Sequence, residues 1–196
     1  MIFSPRAAAV FLDRDGTLIR DVGYLSHIDQ LEILPKVPEA VCLLRAVGLK
    51  VVVVTNQSAI ARGLLGETEL ALIHAELRRR LGQKGAILDG IYYCPHHPTE
   101  GLGLYRAACA CRKPNPGMIE QASLALGLDP SISYLVGDQR TDMELAFRIG
   151  AAGIWIRRDR ARDEEAPRGC RIAEDLWQSA VWIREDFETK ASTRRP

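Results

Sequence analysis

Apolar segments of strand length alternate with amphipathic segments along most of the 196-residue sequence, and this alternation constrains the fold more than any other feature. The apolar segments are rich in valine, leucine and isoleucine, which is typical of strands buried on both faces of a parallel sheet. They occupy residues 7–13, 50–55, 86–94, 132–138 and 152–156.

The segments between these strands have apolar residues three or four positions apart, as helices that cover a sheet do. They span residues 38–47, 68–81, 117–127 and 142–150, and residues 176–186 predict a last amphipathic helix. The pattern predicts a Rossmann-like α/β fold, an open parallel sheet with helices on both faces and ligands at the carboxyl ends of its strands. The connections leave little room for a separate cap domain, so loops 20–35 and 94–112 are expected to form the rim of the site.

The formal net charge of +1 gives the chain no overall field that would attract nucleic acid or an anionic membrane. With 47% hydrophobic and 26% charged residues, the composition is that of a soluble globular domain. We expect one domain over residues 1–186, a charge-rich loop at 157–169, a disordered tail at 187–196 and a monomer. The apolar run near the N-terminus is too short for a secretory segment, which favours a cytoplasmic location.

Two acidic residues, Asp13 and Asp15, follow the first predicted strand, and Asp138 ends another strand in the same way. An isolated Asp-x-Asp pair is often only a turn or a helix cap. Here all three carboxylates are expected at the ligand-binding edge of the sheet, where they would repel one another unless a cation lay between them. Oxygen ligands of this kind suit magnesium, and a phosphate ester would complete its coordination.

This arrangement predicts phosphoryl transfer in which the two leading acids have different roles. Asp13 can attack phosphorus as a nucleophile and form an aspartyl-phosphate. Asp15 can protonate the departing alkoxide and later take a proton from the attacking water.

Hydrogen-bond donors for the phosphoryl group are predicted at two other strand ends. Thr55, Asn56 and Gln57 follow the second strand, where they can hold phosphoryl oxygens or, alternatively, cap a helix. Lys113 precedes the helix predicted from residue 117 and can supply a positive charge, although a lysine in a loop is usually only solvated.

Four motifs in this order resemble those of the haloacid dehalogenase superfamily of aspartate-nucleophile phosphatases: DRDGT at 13–17, TNQ at 55–57, RKP at 112–114 and GDxxxD at 137–142. Three further stretches, DVGY, TNQSAIARG and DGIYYCPHHP with CACRKPNPGM, are similar to the heptose bisphosphate phosphatases of that superfamily. The related histidinol-phosphatase domain shares the acids and the cysteines. Hydrolysis of histidinol phosphate or another small phosphate ester therefore stays an alternative.

The resemblance implies a magnesium-dependent phosphatase that removes the 7-phosphate of a heptose bisphosphate in the synthesis of nucleotide-activated heptose. It implies magnesium at Asp13, the carbonyl of Asp15 and Asp138, with the phosphoryl group held by Thr55 and Lys113. The substrate residues that it implies are Asp21, Val22, Gly23, Tyr24, Thr55, Asn56, Gln57, Ser58, Arg112 and Lys113. The chain departs from many relatives in having Gln139 where they have lysine.

Four soft or borderline metal ligands lie close together in the sequence. Cys94 and His96 form a Cys-x-His pair, and Cys109 and Cys111 form a Cys-x-Cys pair after a loop of twelve residues. Four such ligands complete a tetrahedral zinc shell with no position left for water, so a structural zinc is predicted, as the resemblance also implies. A disulfide and unliganded thiols are the alternatives, and a zinc ribbon that binds nucleic acid is the competing function.

The predicted zinc site has a mechanical consequence for the residues that follow it. Arg112 and Lys113 come directly after the last ligand, so fixing the loop would aim both cations at Asp13. Ordering a loop of this length costs conformational entropy, and metal binding supplies that order before the substrate arrives.

Overall fold

The computed structural model describes residues 6–157 and 166–193. Six parallel strands form one sheet in the spatial order β3-β2-β1-β4-β5-β6. The strands are β1 (Ala9–Leu12), β2 (Lys50–Asn56), β3 (Gly90–Cys94), β4 (Tyr134–Gly137), β5 (Ala152–Ile156) and β6 (Arg171–Ala173). The predicted α/β fold with a parallel sheet is confirmed.

The order of the strands creates a crevice between β1 and β4. From β1 the chain adds β2 and β3 on one side, and it then returns to add β4, β5 and β6 on the other side. The connections that leave β1 and β4 therefore diverge, and open α/β sheets bind their ligands at such a point. The N–H of Asp13 donates to the carbonyl of Val136 at 2.9 Å, which extends the pairing of the two strands to the first acidic residue.

Within the described ranges, helices cover both faces of the sheet. They are α1 (Val37–Ala46), α2 (Ser58–Ala61), α3 (Glu67–Gly82), α4 (Gly117–Leu126), α5 (Arg140–Ile149) and α6 (Leu176–Thr193). Helices α1, α3 and α6 pack in one core, and α4 and α5 pack in the other. In β1, Val10 and Leu12 belong to the first core, while Ala9 and Phe11 belong to the second. Neighbouring side chains of a strand point to opposite faces, so a strand covered on both sides is apolar throughout.

Three predicted strands begin later than the apolar pattern indicates, and the first of them, predicted from residue 7, begins at Ala9. The strand predicted from residue 86 begins at Gly90, because the side-chain carboxylate of Asp89 takes the N–H of Val51 at 2.9 Å in place of a backbone carbonyl, although the N–H of Asp89 still donates to the carbonyl of Val51 at 2.8 Å. The strand predicted from residue 132 begins at Tyr134, because Pro130–Ile132 form a 3-10 turn capped by the side chain of Asp129.

The C-terminal region differs most from the prediction. Helix α6 continues to Thr193, so residues 187–193 are helical where a disordered tail was predicted. The amino group of Lys190 pairs with Asp186 at 2.6 Å, one helical turn earlier, which supports this extension. Strand β6 was not predicted, because three residues at a sheet edge carry too little periodicity. Residues 194–196 and most of the loop predicted at 157–169 lie outside the described residues.

The connections between strands consist of loops, 3-10 turns and the helices named above, with no additional domain in the part of the chain that the structure describes. Across residues 6–157 and 166–193, no helix combines the length and the apolar character needed to cross a membrane.

Candidate active site

Two of the predicted acidic residues, Asp13 and Asp138, lie at the crevice between β1 and β4. Asp13 follows β1 and is 5% exposed, and Asp138 follows β4. Burial, together with the carboxylates of Asp142 and Asp15, raises the pKa of Asp13 to about 7 although Lys113 opposes the shift. Burial and the carboxylates of Asp142 and Asp21 raise the pKa of Asp138 to about 6. Negative charge is therefore costly here even beside Lys113, unless a further cation is bound.

Lys113 connects this crevice with the loop before α4. Its amino group lies 2.8 Å from Oδ1 of Asp13 and 2.7 Å from Oδ1 of Asp142, and it donates to the carbonyl of Val54 at 3.0 Å. The side chain is 3% exposed. Burial alone would lower the pKa of Lys113, but the carboxylates of Asp13 and Asp142 raise it above its ordinary value, so the group stays charged.

Asp142 is a site residue that the sequence analysis did not name. Its Oδ2 accepts the N–H of Gln139 at 3.0 Å in a capping box that starts α5, and its Oδ1 faces Lys113. The signal was present in the sequence, since Asp142 is the last residue of the GDxxxD motif. The cap explains the spacing: a residue three positions into a helix reaches back to the strand end that precedes it.

The residues present fit a divalent cation. Asp13, Asp138 and Asp142 each offer a carboxylate oxygen, and these oxygens lie within 4.8 Å of one another. Oδ1 of Asp138 is buried and has no hydrogen-bond partner among the described residues, which is an orphaned acceptor suited to a metal ion. Carboxylate oxygens are hard ligands of the kind that bind magnesium, whose remaining positions water and a substrate phosphate can fill.

The carboxylate of the general-acid candidate, Asp15, was expected beside those of Asp13 and Asp138 around one cation, but it faces other groups. Its carboxylate accepts from Nη2 of Arg14 at 2.9 Å and from Nε2 of Gln57 at 2.9 Å. It does not join the carboxylate cluster of Asp13 and Asp138. Its side chain is 24% exposed, so it lies at the cleft and not behind it.

Residues at the end of β2 hold the site together in two ways. Gln57 donates to Asp15 and, at 2.8 Å, to the hydroxyl of Thr55. Asn56 exchanges two hydrogen bonds with the backbone of Lys113, at 3.0 Å and 3.2 Å. The side chains of Asn56 and Gln57 are thus engaged by the protein, and Thr55, Asn56 and Lys113 border the open space.

A small polar cleft of about 150 Å³ lies above these residues. It is lined by Asp13, Asp15, Asp21, Gly23, Thr55, Asn56, Lys113, Gln139 and Thr141. Val22 and Tyr24 flank it at the surface, 41% and 43% exposed. Ser58 begins α2 beside the cleft but does not line it. Gln139, which stands where many relatives have lysine, is one of these lining residues.

The predicted zinc ligands come together in space. The three sulfur atoms of Cys94, Cys109 and Cys111 lie 3.1–3.4 Å apart, and Nδ1 of His96 lies 3.5 Å and 3.7 Å from two of them. Disulfide sulfurs are about 2.05 Å apart, so these thiols are not bonded. Ligands of a tetrahedral zinc are about 3.5–3.8 Å apart, which this cluster approaches. Burial first, and then Cys111, raises the pKa of Cys94, so the thiol becomes an anion only beside a cation.

Three contacts carry the position of the cysteine loop to the neighbouring residues. Arg112 donates to the carbonyl of His96 at 2.9 Å. Asn115 donates to the carbonyl of Cys109 at 2.8 Å, and the N–H of Gly117 donates to that of Ala110 at 2.9 Å. A side chain at residue 117 would meet the Ala110 carbonyl at 2.6 Å, so the NPG sequence is shaped to this loop.

The rim of the cleft is tied to the cysteine loop by Arg62, a residue of the TNQSAIARG stretch. Its guanidinium lies 5.3 Å from the centre of the Tyr24 ring and pairs with Glu100. The two rim loops predicted from the sequence therefore meet through one side chain. Arg112, in contrast, does not line the cleft and points its guanidinium at the backbone of His96.

Comparison with known proteins gives the family. A curated D-glycero-β-D-manno-heptose-1,7-bisphosphate 7-phosphatase from Pasteurella multocida is 50% identical over 135 residues, which is 69% of this chain and 73% of the relative. The chain belongs to this family of phosphatases. The corresponding enzyme from Photorhabdus laumondii is 44% identical over 166 residues, which cover 84% of this chain and 88% of the relative. The HAD-hydrolase-like family model matches residues 110–179.

A solved structure places the family on this fold. The D,D-heptose 1,7-bisphosphate phosphatase of B. bronchiseptica, in complex with magnesium and phosphate, superimposes with a TM-score of 0.80 at 33% identity. The match covers 91% of this chain and 99% of that one. The resemblance to haloacid dehalogenase phosphatases is confirmed, and this heptose bisphosphate phosphatase family member is a phosphate-ester hydrolase.

Proposed function

We propose that this protein hydrolyses the 7-phosphate of D-glycero-β-D-manno-heptose 1,7-bisphosphate and so serves the synthesis of nucleotide-activated heptose for lipopolysaccharide or another surface glycan. The observation that carries the proposal is the contact of Lys113 with Asp13 beside Asp138 at the strand crossover point. The names of the curated relatives supply the substrate and the β anomer.

The two leading acids perform the transfer. Asp13 attacks phosphorus, the bond to the sugar oxygen breaks, and the phosphoryl group moves to the Asp13 carboxylate. Asp15 gives its proton to the departing oxygen and then takes one from the water that hydrolyses the aspartyl-phosphate, so its protonation state is restored. Thr55 and Lys113 border the space where the phosphoryl oxygens would lie.

Magnesium would be held by Asp13, Asp138 and the backbone carbonyl of Asp15, with Asp142 close to the same position. When bound, it neutralises charge on the carboxylates and on the phosphoryl group. The orphaned oxygen of Asp138 supports this assignment.

Zinc held by Cys94, His96, Cys109 and Cys111 would have a structural role. The support is geometric: the four ligand atoms lie within 4.8 Å of one another, and the loop is fastened to the segment that carries Lys113. A closed shell of four protein ligands leaves no position for a substrate.

The sugar is expected to contact the rim formed by Asp21, Val22, Gly23 and Tyr24, with the Ser58 region beside it. For Arg112 we propose a substrate contact that requires its guanidinium to leave the His96 carbonyl. Since one chain supplies every group named here, a monomer is sufficient for the reaction. Free thiols clustered with histidine are typical of a reducing compartment, which supports a cytoplasmic location.

A substrate panel tests the proposal. The purified protein, loaded with magnesium and zinc, would be assayed with both anomers of heptose 1,7-bisphosphate, with fructose 1,6-bisphosphate and with histidinol phosphate. We expect the highest kcat/KM for the β-heptose substrate, with phosphorus NMR showing loss of the 7-phosphate only. A preference for histidinol phosphate would overturn the substrate, and Asp13→Asn activity near that of the wild type would overturn the mechanism.

A further inference from the structure

Arg14 stands between the two catalytic acids and its side chain is 1% exposed. Its Nη2 donates to both carboxylate oxygens of Asp15 at 2.9 Å and to Oε1 of Gln57 at 2.8 Å. Its Nη1, the other terminal nitrogen of the guanidinium, lies 3.2 Å from Nε2 of His74. Neither Arg14 nor His74 has a role in the mechanism described above.

His74 approaches Arg14 from α3. The imidazole is 7% exposed. Arginine can only donate hydrogen bonds, so Nε2 of His74 accepts and the ring proton resides on Nδ1. Burial first, and then the charges of Arg14 and Arg78, lower the pKa of His74 to about 3, so the ring stays neutral and keeps its acceptor.

The imidazole is itself held in place. The ring of Tyr93 packs against it edge to face, with centroids 5.8 Å apart. The Tyr93 hydroxyl donates to Glu67 at 2.7 Å, and the Tyr105 hydroxyl donates to the same carboxylate at 2.8 Å. A chain of contacts therefore runs from the first turn of α3 to Asp15.

We infer that His74 is a positioning residue, whose neutral imidazole fixes the guanidinium of Arg14 and thereby orients the carboxylate of Asp15. Arg14 holds the Asp15 carboxylate through Nε at 3.2 Å and through Nη2 at 2.9 Å, and Gln57 accepts from Nη2 as well. His74 binds the remaining nitrogen, Nη1, from the opposite end of the guanidinium and so holds the plane of the group in the orientation that faces Asp15. The inference rests on the proposed function, because it depends on Asp15 as the general acid.

The test exploits the fact that a general acid matters only for a poor leaving group. Phenyl phosphate and 4-nitrophenyl phosphate are similar in size, but nitrophenolate departs without a proton more readily than phenolate does. The value of kcat/KM reports the steps up to departure of the phenol, and the ratio of the two values isolates the protonation step. Both would be measured on magnesium- and zinc-loaded protein.

Three variants are compared. His74→Leu removes the acceptor, and we expect about a tenfold loss of kcat/KM for phenyl phosphate with little change for 4-nitrophenyl phosphate. His74→Gln can place an amide oxygen where Nε2 stood, and we expect both values close to wild type. Should His74→Leu fail to fold, His74→Asn replaces it, because its amide is one methylene too short to reach Arg14.

An equal loss for both phenyl esters would show that His74 only packs in the core and would overturn the inference. Unchanged values for His74→Leu would overturn it as well. Asp15→Asn separates this result from the proposed function. If Asp15→Asn loses no more kcat/KM for phenyl phosphate than for 4-nitrophenyl phosphate, the assignment of Asp15 as the acid fails. If Asp15→Asn shows this larger loss for phenyl phosphate and His74→Leu does not, only the role of His74 is refuted.

Discussion

The amino group of Lys113 lies 2.8 Å from the carboxylate of Asp13, although one hundred residues separate them in the sequence. Both groups are buried, and the same amino group also faces Asp142 at 2.7 Å. A charge placed in this way needs no reorganisation when a phosphoryl group arrives. The contact is the centre of the candidate site.

Replacing Lys113 with methionine should lower kcat for a phosphate ester by about 10²–10³-fold, because it removes a preorganised positive charge from the nucleophile. Lys113→Arg should not restore activity, since the longer planar guanidinium cannot occupy the position that contacts Asp13, Asp142 and the Val54 carbonyl. Steady-state kinetics check this, with circular dichroism to verify folding. Full activity in the arginine variant would show that charge alone suffices.

Gly16→Ala should reduce magnesium affinity and activity. Gly16 has φ +73°, and a Cβ there would lie 2.0 Å from Oδ2 of Asp138, so the carboxylate must move. Gly48→Ala is the matched control, because Gly48 has φ +90° with nothing within 4 Å of a built Cβ. Both variants should lose about 1–2 kcal/mol of stability from left-handed backbone strain.

Calorimetric titration with magnesium and a kinetic assay distinguish the two glycine variants. Only the substitution at residue 16 should weaken binding of the ion. Equal effects of both substitutions on magnesium affinity would contradict the assignment of Asp138 as a ligand.

Removing zinc should lower activity through the position of Lys113 and not through the chemistry itself. We expect close to one equivalent of zinc by elemental analysis, and chelation should increase hydrogen exchange in residues 94–112. Cys109→Ser should likewise lower the activity and increase hydrogen exchange in residues 94–112. Cys170→Ser is the control, since its thiol donates to the carbonyl of Pro167 and lies outside the cluster. Stoichiometric zinc in Cys109→Ser with normal protection would exclude this site.

His74 should make the protein less stable as the pH falls from neutral. In the unfolded chain His74 binds a proton below about pH 6.5, whereas in the folded chain burial and the charges of Arg14 and Arg78 lower its pKa to about 3. Between these values the unfolded state binds more protons than the folded state. The free energy of unfolding should therefore fall by up to about 1.4 kcal/mol for each unit by which the pH is lowered.

Urea denaturation between pH 7.5 and 5 in wild type and His74→Gln would measure this contribution. The loss of stability on acidification should be smaller in the variant, because glutamine does not titrate. Parallel pH dependences in the two proteins would show that the imidazole is not held neutral.

Much of the architecture followed from local patterns in the sequence. Strands buried on two faces must be apolar throughout, so β1, β2 and β4 stand out as continuous apolar runs. Their positions also placed Asp13, Thr55 and Asp138 at one edge of the sheet, because parallel strands end on the same side. The four residues of the predicted zinc site were identified from their spacing, and the structure places their ligand atoms within 4.8 Å of one another.

What the tertiary structure decided is which way each polar side chain turns. The sequence placed Asp15 next to Asp13 but did not show that Arg14 and Gln57 take its carboxylate, or that Asp142 completes the acidic cluster instead. His74 lies on a helix with no motif, sixty residues from Arg14. Such contacts depend on how α3 and α5 pack against the sheet, and packing joins residues whose separation along the chain carries no periodic signal.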